Sequence, residues 1–174
     1  MLNDPLPKQV DVRKLIVKSA EITAQEPIAE LERLAGLLAD DKGEALVNLR
    51  FFVDEGRFRK IEGDVRSTVN VICQRCLEPM PIVLTAEVNL AVVWTEDEAK
   101  QLPRTLDPLI VGEDPIDLSE IVEEELILGL PIVSYHEGEC KGHSSFSSGE
   151  ETAEAEEPKE NPFSILEQLK SSDT

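Results

Sequence analysis

Aromatic residues and histidines are scarce in this 174-residue chain. Because aromatics are only 4% of the residues, the core has to be built mainly from Val, Ile and Leu. No apolar run approaches the roughly 20 residues that a transmembrane helix needs. The first residues, 1–5, lack the charged and apolar regions of a secretory signal. We therefore expect a cytoplasmic protein with one ordinary domain plus tails, and no membrane partner.

The motifs of common enzyme classes are missing as well. There is no Gly-rich phosphate loop and no nucleophile elbow, and two histidines leave little scope for a Ser/His/Asp triad. The sequence thus predicts a non-enzymatic protein without a small-molecule substrate. A metal-dependent hydrolase or nuclease stays open as an alternative that would need an open coordination position and a general base.

Negative charge is in excess and unevenly distributed, with a formal net charge of −19. Residues 95–160 contain 19 acidic and 4 basic residues, whereas residues 42–76 contain 7 basic and 5 acidic ones. Because carboxylates repel phosphates, the surface as a whole is unsuited to bare nucleic acid. Three interpretations remain: a local basic face contacts RNA, the acidic surface binds a basic protein, or the charge only prevents association.

Periodicity predicts an α+β fold, with an antiparallel β-meander of about four to six strands packed with a few short helices. Alternating apolar residues predict strands over 45–53, 57–63, 65–72 and 80–94. Capping patterns predict helices that begin after Asp11, at Pro27 and after Asp117, and a helical turn over 95–100. The apolar stripe that follows Pro27 is expected to pack into the core, in preference to a partner groove.

The C-terminal part of the chain has a different composition. Residues 1–142 are predicted to form the single α+β domain. Residues 143–160 are rich in Gly, Ser, Glu and Ala, which predicts a disordered acidic linker. Residues 161–170 are apolar again: Asn161 can cap a helix on which Phe163 and Leu166 share one face. This segment is expected to dock either on its own domain or on a partner.

The strongest local motif is Cys73-Gln74-Arg75-Cys76, which lies between two predicted strands. Two thiolates at this spacing can bind one tetrahedral metal ion, and soft ligands of this kind favour zinc. The other ligand-rich stretch runs from Tyr135 to His143, where Cys140 with His136 or His143 would complete a set of four. Zinc binding, reduced structural thiols and a redox pair all stay open at this point.

A carboxylate also lies on the apolar side of a predicted helix. On the helix over 117–129, Glu125 falls on the stripe of Leu118, Ile121 and Val122, whereas Glu120, Glu123 and Glu124 face outward. A buried, unpaired carboxylate is costly. Glu125 is therefore expected either at the wet edge of the stripe or paired with a buried cation. Arg75 is the candidate partner, in which case the two have a structural role.

Three motifs in order along the chain resemble the YceD family of bacterial large-ribosomal-RNA accumulation proteins. They are Cys73 to Pro79, then Ile116-Asp117-Leu118 with Glu123 to Pro131, then Asn161-Pro162-Phe163 before Leu166 and Leu169-Lys170. The resemblance implies a factor needed for the synthesis, processing or accumulation of large-subunit ribosomal RNA. Its expected partner is a large-subunit ribosomal RNA precursor or a large-subunit ribosomal protein.

The resemblance also bears on the metal and on the surface that meets the partner. Many relatives carry further cysteines after the Leu-Pro; His136 and Cys140 match the first two, and the last two are absent here. This implies a possible zinc set of Cys73, Cys76, His136 and Cys140, while a metal-free version stays open. Contact with a pre-ribosomal particle is expected through a basic hairpin face or through a basic ribosomal protein. That hairpin face consists of Arg50, Arg57, Arg59, Lys60 and Arg66.

Overall fold

The computed structural model of the chain describes residues 4–138 and Cys140. These residues form five strands and four short α-helices. A 3-10 turn, Ile28–Glu30, connects β1 to α2. The elements in chain order are α1 (Val12–Val17), β1 (Glu21–Pro27), α2 (Glu32–Ala35), β2 (Glu44–Val53), β3 (Arg59–Ile72), β4 (Pro79–Val93), α3 (Glu96–Lys100), β5 (Asp107–Ile110) and α4 (Leu118–Leu128).

The five strands form one sheet in which the spatial order follows the chain order, β1-β2-β3-β4-β5. The first four strands pair antiparallel with their neighbours, and β5 pairs parallel with β4. A parallel pair needs a crossover, and the segment containing α3 supplies it. The predicted α+β meander of four to six strands with short helices is confirmed.

The core lies on one face of this sheet. In β2, Ala45, Val47, Leu49 and Phe51 are buried, whereas the side chains between them point to the other face. Helix α1 packs against β2, α4 packs against β4 and β3, and α2 packs against α4. Aliphatic side chains fill most of this core, as the low aromatic content predicts, and each fully buried one contributes about 1.5–3 kcal/mol.

Three of the helices begin at polar capping residues, and two of these caps, Asp11 and Asp117, were predicted from the sequence. The side chains of Asp11, Thr95 and Asp117 accept hydrogen bonds from backbone N–H groups in the first turns of α1, α3 and α4. Each cap satisfies a donor that has no partner within the helix. Helix α4 ends at Gly129, as predicted, and Pro131 follows.

The predicted helix beginning at Pro27 is wrong in its extent, and strand β1 before it was missed. Residues 21–27 pair with β2, and this pairing overrides their weak apolar pattern, in which only Ala24 and Glu26 are buried. After Pro27 the chain makes a 3-10 turn and one short turn of α2. The stripe of Ile28, Leu31 and Leu34 is nevertheless fully buried, so its packing into the core is confirmed.

The two strands predicted over 57–63 and 65–72 are a single strand, β3. Gly63 does not make a turn; it lies opposite Leu49 in the β2–β3 ladder. A Cβ atom at Gly63 would lie 1.8 Å from the carbonyl oxygen of Asn48. The glycine is therefore required by the close approach of the neighbouring backbone, which is a known role of glycine inside strands.

Some predictions lie outside the described residues. These are the linker over 143–160, the segment over 161–170 and the domain boundary at 142, which all stay predictions. Within residues 4–138, the structure has no helix with the length and apolar character needed to cross a bilayer.

Candidate metal site and charged surfaces

The Cys73–Cys76 motif forms the tight turn between β3 and β4. The N–H of Leu77 donates to the carbonyl of Cys73 over 2.9 Å, and the N–H of Cys73 donates to the carbonyl of Glu78 over 3.0 Å. Leu77 closes the turn with a φ of 62°, in the left-handed region that non-glycine residues seldom adopt. The turn places the sulfur atoms of Cys73 and Cys76 on the same side of the hairpin end.

The segment that follows α4 passes alongside this turn. The backbone N–H of Gln74 donates to the carbonyl of Ser134 over 2.9 Å, and its side-chain amide donates to the carbonyl of Ile132 over 3.3 Å. These two bonds align the segment with the hairpin end and bring His136 and Cys140 next to the two cysteines. Residues 60 or more positions apart in the chain thus meet at one point.

Four metal-ligating atoms converge here, and they belong to the residues that the sequence predicts as a zinc set. The Sγ atoms of Cys73, Cys76 and Cys140 and a ring nitrogen of His136 all lie within 4.8 Å of one another. The distances are 3.7 Å from Cys73 Sγ to Cys140 Sγ, 3.4 Å from Cys76 Sγ to His136 Nδ1, and 3.7 Å from Cys140 Sγ to His136 Nδ1. None of the three cysteines forms a disulfide bond.

These distances fit a tetrahedral metal ion. Sulfur ligands at about 2.3 Å and a nitrogen ligand at about 2.0 Å from one ion lie about 3.5–3.8 Å from each other. The three separations given above match that spacing, and Cys73 is fully buried while the other three ligands are half-buried. A Cys3His group that could hold a metal is therefore present. Four protein ligands fill a tetrahedral shell, which is typical of structural sites and leaves no open position for catalysis.

The surroundings of Cys73 and Cys76 shift the pKa values of their thiols in opposite directions. Burial opposes ionisation of Cys73, but backbone N–H groups of Cys76, Arg75 and His136 donate to its sulfur and lower its pKa to about 5. The pKa of Cys76 is raised: the N–H of Glu78 favours the thiolate, but burial and the neighbouring thiols Cys140 and Cys73 outweigh it. The lowered pKa of Cys73 favours its thiolate, the form that binds metals.

Arg75 connects the turn to the segment after α4. Its Nε donates to the Sγ of Cys140 over 3.0 Å, and one terminal nitrogen donates to the carbonyls of His136 and Gly138. Hydrogen bonds to a ligand sulfur of this kind orient the ligand and offset its charge. The predicted Arg75–Glu125 pair is wrong, because these bonds keep the guanidinium at the turn. A structural role for Arg75 stays a prediction, now attached to its bonds with the segment that contains Cys140.

Glu125 lies instead in an open groove between α4 and β5. It is half-buried there, and its pKa is raised by burial and then by the nearby carboxylates of Asp107 and Glu124. The structure thus places Glu125 at the solvent-facing edge of the apolar stripe, which is one of the two positions expected for this residue.

A different carboxylate of α4 carries the tight structural contact. Glu123, expected to face outward, is buried and accepts hydrogen bonds from the backbone N–H groups of Arg33 and Leu34. It caps the N-terminal end of α2 from across the fold. The helical period of α4 alone could not reveal this contact. The signal in the sequence was the first turn of α2, which lacks a capping side chain of its own.

The five residues of the predicted basic hairpin face do not form one basic surface. Arg50, Lys60 and Arg66 lie on the outer face of the sheet, and each pairs with a carboxylate. Glu62 accepts from both Arg50 and Lys60, and Asp64 lies 3.5 Å from Arg66. Strand alternation puts these charges side by side, so they largely neutralise each other.

The other two members lie elsewhere. Arg57 is exposed in the β2–β3 turn with a φ of 64°, and Arg59 points to the opposite side of the sheet. There its guanidinium lies 5.2 Å from the ring centre of Trp94, which Arg13 approaches to 4.3 Å from α1. The further predicted partner-binding residues Asn161, Phe163 and Leu166 fall outside the described residues.

Two of three comparisons with known proteins find similar proteins, and one finds none. The model of the family described as "Large ribosomal RNA subunit accumulation protein YceD" matches residues 61–170. A Haemophilus influenzae protein with that same name is 35% identical over 170 residues, which cover 95% of this chain and 96% of the relative. No solved structure matches the chain significantly.

Proposed function

Because the chain belongs to the YceD family of large ribosomal RNA subunit accumulation proteins, we propose that it is a non-enzymatic factor for the accumulation of that RNA. The observation that carries the proposal is the extent of the match, which covers nearly the whole of both chains. Sequence similarity of that extent involves the complete domain and not one transferable module. The factor acts in the cytoplasm by binding a pre-ribosomal particle.

A second version of this function has support from the charged surfaces. In it the chain is an acidic adaptor or chaperone for a basic ribosomal protein and makes no direct contact with RNA. The pairing of Arg50, Lys60 and Arg66 with carboxylates favours this version, because paired cations have little free charge to offer phosphates.

A tagged copy of the full chain tests the shared part of both versions. Purification from cells should recover large-subunit RNA precursors, and cells that lack the protein should accumulate less large-subunit RNA than small-subunit RNA. Neither effect would be seen if the protein had no part in large-subunit assembly.

Salt distinguishes the two versions. Direct phosphate contact predicts an affinity of the purified chain for large-subunit RNA that falls steeply between low and high salt. The double substitution Arg57→Gln with Arg59→Gln should then weaken RNA binding. Arg66 is already paired with Asp64, so Arg66→Gln should not weaken it. RNA association only in the presence of ribosomal proteins would support the adaptor version.

We also propose that the Cys73, Cys76, His136 and Cys140 site holds zinc. Three thiolates and an imidazole form a ligand set that zinc prefers and few other metal ions do. The separations of the ligand atoms suit a tetrahedral shell. When bound, the ion supplies four bonds that hold the β3–β4 turn and the segment after α4 together. Its role is structural, since no ligand position is left for a substrate.

Metal analysis of the purified chain tests this directly, with one zinc per chain as the expected result. His136→Cys offers a matched control, because four cysteines also bind zinc, whereas His136→Ala removes a ligand. We expect zinc to be retained in His136→Cys and lost in His136→Ala, with a lower melting temperature for the latter. A metal-free wild-type protein whose melting temperature ignores added zinc and chelator would contradict the proposal.

A further inference from the structure

An open apolar groove lies between α4 and β5, on the side of the domain away from the paired charges of the sheet. Its floor consists of Leu90, Leu109, Ile121 and Leu128, and its volume is about 440 Å³. Leu128 is 72% exposed, so the floor continues to the surface without a cover from the described residues. Apolar surface of this kind is commonly a binding site.

The rim of the groove carries an uncompensated negative charge. Asp107, Glu120, Glu124 and Glu125 surround the floor. The one cation that lines the groove in the described part of the chain is Arg33, which donates to Glu124 over 2.8 Å. Among residues 4–138, Asp107, Glu120 and Glu125 make no salt bridge. The half-buried position of Glu125 makes an incoming cation especially favourable there.

The arrangement of the carboxylates decides which cation fits. Within the described residues, the Cys3His group is the one place where three or more ligand atoms converge, so the groove lacks the close oxygen cluster that a metal ion needs. A nucleic acid would meet repulsion from the rim. A lysine or arginine side chain fits both features, because its aliphatic stem can lie on the leucines while its charged end reaches a carboxylate.

We propose that this groove binds a basic peptide segment of a partner protein, inserting a lysine or arginine between Asp107 and Glu125 and flanking apolar side chains against Leu109 and Leu128. The proposal deepens the function proposed above and rests on it for the source of the segment, a basic protein component of the pre-ribosomal particle. The groove would then give the acidic surface of the chain a defined contact point.

A synthetic amphipathic lysine–leucine peptide serves as the probe, with binding to the full chain followed by fluorescence anisotropy. Asp107→Asn with Glu125→Gln should weaken binding roughly tenfold, since charge pairs in partly buried contacts carry much of the affinity. Glu21→Gln with Glu87→Gln is the matched control: it removes the same charge from exposed positions on the outer face of the sheet and should change binding little. Equal loss in both double variants, or no loss in the first, would overturn the proposal.

Two further measurements keep the outcome clear. Peptide binding should shift the backbone amide signals of Leu109, Ile121 and Leu128 in NMR spectra, and shifts confined to other regions would count against the groove. The Asp107→Asn, Glu125→Gln chain should also be tested for recovery of large-subunit RNA precursors from cells. Retained recovery together with unchanged peptide binding would reject the groove and leave the proposed function standing.

Discussion

The outer face of the sheet and the groove beside α4 both contain a cluster of ionisable residues, but the cluster on β3 is paired internally, whereas the cluster in the groove is mostly acidic. On the sheet, Lys60, Glu62, Asp64 and Arg66 are spaced by two, so strand alternation places them on one face, where opposite charges meet. In the groove, three of the four carboxylates have no basic partner among the described residues. The comparison teaches that the pairing of charges, more than their number, determines which surface remains available to a partner.

The largest effect is expected from disturbing the strand pairing that aligns the sheet charges. Gly63→Ala would place a Cβ atom against the carbonyl of Asn48, where a distance of 1.8 Å leaves no room. We expect a loss of about 3 kcal/mol or more in the free energy of unfolding, because the two strands would have to separate locally. Urea denaturation measures this. Gly112→Ala, whose Cβ atom would come no nearer than 4.0 Å to the backbone nitrogen of Asp114, is the control and should cost far less.

Removing the shared carboxylate on the sheet should have the next largest effect. Glu62→Gln leaves Lys60, whose side chain is only 11% exposed, without its charged partner. We expect a destabilisation of about 1–2 kcal/mol at neutral pH, the usual cost of an unpaired, mostly buried charge after partial relaxation. Urea denaturation again gives the value, and Glu87→Gln at an exposed position of β4 should be nearly neutral.

The difference in the free energy of unfolding between wild type and Glu62→Gln should depend on pH in a definite direction. Hydrogen bonds from Lys60 and Arg50 lower the pKa of Glu62 in the folded state. Its contribution to stability is therefore present above the unfolded pKa and is lost as the pH falls through the folded value. The stabilities of wild type and Glu62→Gln should begin to converge as the pH falls below the unfolded pKa of about 4.3, and should meet below the folded pKa. A constant difference down to pH 2 would show that the carboxylate charge is not the cause.

In the groove, a Glu→Gln substitution should raise the stability of the protein, opposite to its effect on the sheet. Burial and like charges raise the pKa of Glu125, so the folded state holds its proton more tightly than the unfolded state does. The ionised side chain thus destabilises the fold at neutral pH, and this cost disappears as the pH falls below the folded pKa. Because solvent screens this partly exposed carboxylate, Glu125→Gln should raise stability at pH 7 by only about a few tenths of a kcal/mol. Melting curves at pH 7 and pH 4 check this, and a lower melting temperature at pH 7 would contradict it.

The smallest effect is expected at the exposed end of the sheet's charge row. Arg66 is 66% exposed and lies 3.5 Å from Asp64. Such surface pairs contribute about 0–1 kcal/mol, so Arg66→Gln should change the free energy of unfolding by less than about 0.5 kcal/mol. A much larger loss would mean that the row of charges acts as a connected network and not as separate pairs.

Much of the fold follows from local pattern, and the exceptions have physical reasons. Strands β2 and β4 were predictable because their apolar residues alternate, and α4 because Asp117 and Gly129 mark its ends. Strand β1 was missed because its pairing with β2, and not its own pattern, makes it extended. The parallel addition of β5 likewise depends on a crossover that no local pattern records.

The candidate metal site was predictable in composition but not in geometry. Cys73 and Cys76 were predictable from their spacing, and His136 and Cys140 from their ability to bind metals. What brings the two pairs together is the backbone bond between Gln74 and Ser134, which connects irregular segments without periodicity. The contact of Glu123 with α2 had only an indirect signal, the missing cap of α2, because the helical period of α4 places Glu123 on the outward side. The neutralised sheet charges, in contrast, were readable from the alternation of Lys60, Glu62 and Asp64.

The separation of the ligands along the chain affects the order of events during synthesis. The β3–β4 turn offers two sulfur atoms as soon as it leaves the ribosome, while the other two ligands emerge more than 60 residues of translation later than Cys73. A nascent chain stopped in between holds an ion with two ligands only, too few for firm retention. The proposed zinc would therefore bind late in synthesis, only after Cys140 has been translated.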